Sequence, residues 1–314
     1  MKVLVTGATG FIGRLATGQL RERGAEVRCL VRPSSDRSAL AGLDCEFAEG
    51  DMTDAGSLAK AVEGCSTVLH LAAETRPAAP ERLRAVNVAG SGELAARAAA
   101  AGVERFIYVS TLTRARQGAP APRPWARVAL SKLSGEVAVL EKIPAAVLRS
   151  APCFGPRDHL VCPLLARLRR SRFVALFPGQ GTFATQPIWS GDLAECLASA
   201  ALSGKVEPGP RELAGPEEMA VVEFWDRLAA ALGAARLRLH LPETFLRAVG
   251  FPLARATGRL EFLRLAEFFI GRSTAERNLA PILLGRDLVT VEEGVRKLLG
   301  LAAGPAGSAA RTEA

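Results

Sequence analysis

At 314 residues the chain is long enough for about two domains or one large α/β unit. It is 49% apolar and 23% charged, enough to build a core, and no run of about 18 uncharged apolar residues offers a membrane span. Net charge is +8, but the basic residues are scattered, with neither an aromatic-basic motif nor a helix-turn-helix signal, so no nucleic-acid partner is expected. The six cysteines show no CxxC and no metal spacing with histidine, which argues against a disulfide framework or a zinc site and for a reducing cytoplasm. The opening MKVLVTG reads as a strand rather than a leader.

In chain order, Lys2–Thr6 is a short apolar strand ending in glycines, and Phe11 to Arg23 is helical. Strands follow at Glu26–Val31 and Cys45–Ala48, a helix at Ser57–Val62, and a fourth strand at Thr67–Leu71. A long alanine-rich helix spans Pro80 to Ala101, then a fifth strand Arg105–Val109. Pro120, Pro122 and Pro124 precede a helix from Trp125 to Glu141, and Ala145–Arg149 is the sixth strand. Short strands separated by helices require crossovers, so the expected fold is α/β, a doubly wound, mostly parallel sheet.

After Pro152 the rhythm changes. A basic helix (Cys162–Arg170), a strand near Phe173–Leu176 and a glycine turn lead to Gln186–Ile188, and Ser190 or Asp192 is the expected cap of a helix running to Leu202. A strand at Arg211–Ala214, a helix at Met219–Leu232 and a last helix at Val291–Leu301 complete the reading. The expected division is a dinucleotide-binding half, residues 1–155 completed by about 180–205. A smaller helix-rich lobe takes 156–179 and 206–301, and 302–314 form a disordered tail.

The first strand meets the first helix at Thr6-Gly7-Ala8-Thr9-Gly10-Phe11-Ile12-Gly13. Gly7 permits a tight turn, Gly10 admits a pyrophosphate to the backbone, and Gly13 lets helix and strand pack closely. The N–H groups and partial positive charge at the helix start suit phosphate oxygens. Thr9, Phe11 and Ile12 belong to the same candidate loop. The spacing GxxGxxG resembles the signature of the short-chain dehydrogenase/reductase superfamily, its extended (epimerase/dehydratase-like) and atypical branches above all.

Further stretches carry the resemblance: Gly50-Asp51-Met52, His70-Leu71-Ala72-Ala73, Asn87-Val88, Arg149 to Pro156 and Gln186 to Ala194. It implies that Asp51 and Met52 lie by the adenine, that Leu71, Ala72 and Ala73 line the cofactor, and that Pro152, Cys153 and Phe154 lie beside the nicotinamide. The bland readings are packing for His70, a small buried hydrophobe for Cys153, a helix cap for Asp192, and no metal role for His159 or His240. In place of the acid that binds the adenosine hydroxyls in NAD-binding relatives, the second strand ends in Val31-Arg32-Pro33. A guanidinium suits a 2′-phosphate, so NADP(H) is expected over NAD(H).

The superfamily's chemistry uses a Tyr-x-x-x-Lys pair on the helix after the fifth strand and a Ser or Thr at that strand's end. Here Val128-Ala129-Leu130-Ser131-Lys132 occupies the pair's place, and Thr111 the hydroxyl's. Lys132 and Thr111 are present, but valine replaces the phenol. The one tyrosine, Tyr108, lies in the fifth strand. Losing a general acid costs about 10²–10⁴-fold. The pattern resembles the atypical branch of the NADPH-binding accessory subunit of respiratory complex I and its bacterial homologues, through Phe154–Leu160, Pro178–Gly181 and Gln186-Pro187. That implies a structural or sensing dinucleotide binder; the alternative is an active oxidoreductase or epimerase with another proton source. Residues 243–272 mix aromatic and aliphatic side chains with arginine, which suits a protein partner or peripheral contact at the inner membrane face as well as packing.

Overall fold

The computed structural model describes residues 1–75, 78–113, 127–159, 161–170, 174–178, 180–233, 237–241, 245 and 272–300. Its centre is a seven-stranded parallel sheet. The strands are β1 (Lys2–Thr6), β2 (Glu26–Val31), β3 (Glu46–Glu49), β4 (Thr67–His70), β5 (Arg105–Thr111), β6 (Ala145–Ser150) and β11 (Gly209–Leu213), in the order β3-β2-β1-β4-β5-β6-β11. The order reverses between β1 and β4, and their carboxyl ends make the crevice where such sheets take ligands. β4 is buried throughout and β1, β5 and β6 nearly so, which accounts for their continuous apolar runs.

Helices cover both faces. On one, α1 (Phe11–Glu22) and α7 (Ser190–Ser203) bury Ala16, Leu20, Leu193 and Leu197 against β1, β2 and β6. On the other, α2 (Ala55–Val62), α4 (Ser91–Ala100) and α5 (Arg127–Leu140) bury Leu58, Leu94, Ala98 and Val139. Asp54 caps α2 through Gly56 N at 3.0 Å. A separate core joins Phe154, Trp189, Phe224, Trp225 and Val295. It draws on α6 (Val161–Arg170), α8 (Val221–Ala231) and α10 (Val291–Leu299), while α9 (Ala280–Leu284) packs beside α7. Short strand pairs accompany it: β7 (Cys153–Phe154) with β10 (Ile188–Trp189), β9 (Ala184–Thr185) with β12 (Met219–Ala220), and β8 (Val174–Pro178) with β13 (Leu237–Leu241).

Several local expectations are corrected. The long helix at Pro80 is α3 (Pro80–Leu83), a wide π turn (Arg84–Gly90) and then α4. The wide turn seats Gly90 where a Cβ would lie 2.4 Å from the Met52 carbonyl oxygen. Neither Ser190 nor Asp192 caps α7, which starts from Trp189 without a side-chain cap. Asp192 is buried and instead holds the C-terminal segment, accepting from Val289 N at 2.7 Å and Arg286 at 2.9 Å. The strand at Gly209–Leu213, within the stretch assigned to the smaller lobe, pairs with β6 in the central sheet. Among the described residues no helix is long and apolar enough to cross a membrane, and no group of three potential ligands could hold a metal. Apart from Phe245 and Arg272, the segment 243–272 lies outside the described residues, as do the Pro120–Pro124 break and the tail.

Candidate active site

The glycine turn is built as its spacing requires. Gly7 has φ +72°, and a Cβ there would lie 2.8 Å from Ala72 N; a Cβ on Gly13 would lie 2.0 Å from the Gly7 carbonyl oxygen. Gly10 is exposed, and its N–H closes the turn on Gly7 O at 3.0 Å. Thr9, Phe11 and Ile12 are half-buried beside it. No side chain caps α1, so its first N–H groups are open to an anion. Beyond the Gly7 oxygen at 3.1 Å, no atom of the other described residues, the chain neighbours aside, lies within 4 Å of where a Gly10 Cβ would point. These features fit the pyrophosphate of a dinucleotide.

A buried chain of polar groups ties this turn to the neighbouring strands. Thr6 Oγ1 accepts from Ala72 N at 3.1 Å and lies 2.6 Å from His70 Nδ1; His70 Nε2 lies 2.9 Å from Ser91 Oγ. Burial, then the charge of Lys132, pushes His70 down to about 3, so the ring is neutral at ordinary pH. With both ring nitrogens engaged inside the sheet, it is a packing residue. Leu71, Ala72 and Ala73 follow it, half-buried, at the carboxyl end of β4.

Arg32 is exposed at the end of β2. Asp51 is half-buried; burial opposes its ionisation, but hydrogen bonds from Thr53 N (2.9 Å) and Thr53 Oγ1 (2.7 Å), with the charges of Arg82 and Arg32, hold its carboxyl below the usual range. Arg82, for which the sequence carried no signal, thus joins Arg32 in the positive field that acts on Asp51. Met52 is buried, with its side chain in the core under β4 and α4.

The α5 segment keeps the shape of a catalytic helix. Asn87, in the π turn, donates to Ser131 Oγ at 2.8 Å and brackets Glu74, accepting from its N at 2.7 Å and donating to its O at 3.0 Å. Ser131 in turn donates to Val128 O at 2.7 Å. Tyr108 donates its phenol proton to Lys132 O at 3.1 Å, and Gly135 allows that approach, since a Cβ there would lie 2.4 Å from the phenol oxygen. A lone amide in an alanine-rich helix was the available signal for Asn87.

Val128 is buried, and Lys132 one turn later is half-buried. Burial lowers the Lys132 ammonium to about 8, with Glu136 opposing. Glu136 is itself buried and taken by Arg149 across both oxygens, at 2.6–3.1 Å. Thr111, at the end of β5, is half-buried with Thr113 Oγ1 at 3.4 Å.

Pro152 and Cys153 are half-buried where β6 leads into β7. Burial, with the charges of Asp158 and Asp192, raises the Cys153 thiol well above its ordinary value, which fits a small apolar group and not a nucleophile. Phe154 packs edge-on against Trp189 and Phe224, both at 5.5 Å, so its ring belongs to the second core. Asp158 caps α6 through Val161 N and Cys162 N.

The 2-alkyl-3-oxoalkanoate reductase of Stenotrophomonas maltophilia is 28% identical across 95% of this chain and 98% of its own length. A 4-hydroxy-2-methyl-3-oxo-4-farnesyl-3,4-dihydroquinoline-1-oxide ketoreductase of Stigmatella aurantiaca is 28% identical across 99% and 98%. Sterol demethylase protein B of Methylococcus capsulatus is 41% identical over 113 residues, and the chain spans about a third (34%) of its length. UDP-glucose 4-epimerase of Thermotoga maritima, solved with UDP-glucose, shares the fold at TM-score 0.73 and 22% identity, covering 96% of this chain and 98% of that one. The model of the NAD dependent epimerase/dehydratase family matches residues 3–212, which take in the glycine turn, α5 and five of the seven sheet strands in full, and the chain belongs to that family.

Proposed function

We propose that the chain binds a nicotinamide dinucleotide across the carboxyl ends of β1, β2, β4 and β5, NADP(H) in preference to NAD(H), without phenol-driven turnover. Gly7, Gly10 and Gly13 hold the pyrophosphate, Arg32 takes the 2′-phosphate, and Lys132 the nicotinamide ribose. Asp51 flanks the adenine, and Pro152 and Cys153 flank the nicotinamide. The observation that carries the reading is Val128, buried in the proton donor's place on an otherwise intact helix. A structural or sensing role follows, of the kind held by the accessory subunit of respiratory complex I, with the smaller lobe and segment 243–272 as the contact for a partner or membrane surface. Titration with NADPH and NADH, then NADPH consumption with carbonyl compounds, tests it. Tighter NADPH binding and negligible consumption are expected. Turnover at ordinary rates, about 1–10³ s⁻¹, overturns the non-catalytic role.

A second reading has its own support. Two relatives aligned along nearly the whole chain are named as a ketoreductase and a 3-oxoalkanoate reductase. On that reading the chain reduces a ketone and draws its proton from a group other than tyrosine.

A further inference from the structure

The reductase reading needs an acid near the ends of β4 and β5, and the described side chains there leave few. His70 is neutral, buried and engaged at both ring nitrogens. Tyr108 is buried, its phenol spent on the Lys132 carbonyl and its proton held more tightly than usual, chiefly by burial. The Cys153 thiol is raised in the same way. Glu136 is closed off by the two-pronged contact with Arg149.

Lys132 differs from all of these. It lies one turn after Val128 on α5, and its ammonium has neither a hydrogen bond nor an ion pair among the described residues. Glu136, the carboxylate that helical spacing would offer it, is turned to Arg149. Tyr108, which pairs with His70 across β4 and β5, donates to the Lys132 carbonyl at 3.1 Å, so Lys132 lies beside the ends of these two strands. A side chain so placed at about 8 is charged at neutral pH, yet gives up its proton far more readily than an ordinary lysine near 10.4.

We propose that Lys132 is the acid of this chain, an unpaired ammonium that protonates the oxygen of a bound ketone in place of the missing phenol. The assignment rests on the reductase reading. The bound dinucleotide supplies hydride to the carbonyl carbon and leaves oxidised. As the C–O π pair moves onto oxygen, a Lys132 N–H bond breaks and an O–H bond forms. The neutral amine then regains its proton from water, so ketone, NADPH and one proton give alcohol and NADP⁺.

The test uses the full chain, its Lys132→Arg and Lys132→Met variants, NADPH and a 2-alkyl-3-oxoalkanoate, from about pH 6 to about pH 10. Expected is a kcat that falls above about pH 8, tenfold per unit. Lys132→Arg, which keeps the charge and hydrogen bonding but holds its proton, retains NADPH affinity within a few-fold and loses about a hundredfold or more in kcat. Independently of turnover, NMR of ¹³C-lysine-labelled protein, with the Lys132 signal identified by its loss in Lys132→Arg, shows a midpoint near 8. An ordinary midpoint above about 10, or a kcat and pH profile unchanged in Lys132→Arg, overturns the lysine assignment alone. No NADPH consumption by a wild-type chain that binds NADPH overturns the reductase reading itself, and the assignment with it.

Discussion

The glycine turn and the α5 site stand at neighbouring strand ends and have kept different things. At the turn every requirement is one of backbone: a positive φ at Gly7, no room for a Cβ at Gly13, open N–H groups at the start of α1. At α5 the backbone is equally well held, by Asn87, Tyr108 and the Glu136–Arg149 pair, but the place where the resemblance expects a phenol holds the buried Val128. A binding function spread over main-chain geometry resists change because most substitutions break the fold with it. A function that depends on one hydroxyl can change without cost to the scaffold.

The largest expected effect concerns the residue between the two regions. His70 has a folded value of about 3 against an ordinary 6.5, so the unfolded chain binds the extra proton, and stability rises with pH across that window. The contribution is intact above about pH 6.5 and declines by about 1.4 kcal/mol per unit as pH falls toward 3. Urea unfolding at stepped pH should show this slope, and His70→Gln should flatten it. An unchanged slope would show that His70 is not a buried neutral link.

Gly13→Ala sharpens the contrast from the binding side. Its Cβ meets backbone that cannot swing aside, so about 3 kcal/mol of stability should be lost, as read by urea unfolding, together with dinucleotide binding. Arg32→Ala should weaken NADPH by about 1.5–3 kcal/mol and leave NADH nearly untouched. Equal losses for both cofactors, by fluorescence titration, would remove Arg32 from the 2′-phosphate. Smallest in stability is Val128→Tyr. The larger ring must displace neighbours around a buried site, at about 1–2 kcal/mol. If the comparison holds, it also raises NADPH consumption more than tenfold, because the rest of the helix is already in place.

Legibility in the sequence divides along the same line. The glycine spacing, the Val128–Lys132 segment and the strand–helix alternation could be read directly, because each is set by contacts close in sequence: a turn, a helical face, an apolar run. The π turn could not, because Arg84–Gly90 widens only where Gly90 meets Met52 and Asn87 reaches Glu74 and Ser131. Asp192 reads locally as a helix cap, yet its partners Arg286 and Val289 are nearly a hundred residues away.

By itself the sequence determined the parallel α/β sheet, the glycine turn and the Val128–Lys132 segment on one helix, since these follow from residue type and local spacing. Only the tertiary structure decided that β11 joins the central sheet, that Phe154 faces the second core, and that Glu136 turns to Arg149 and leaves Lys132 without an ion pair among the described residues. The reason is physical: a strand's neighbour, a ring's direction and a carboxylate's choice of partner are settled by competition among groups distant in the chain. That competition exists only once the sheet has brought them together.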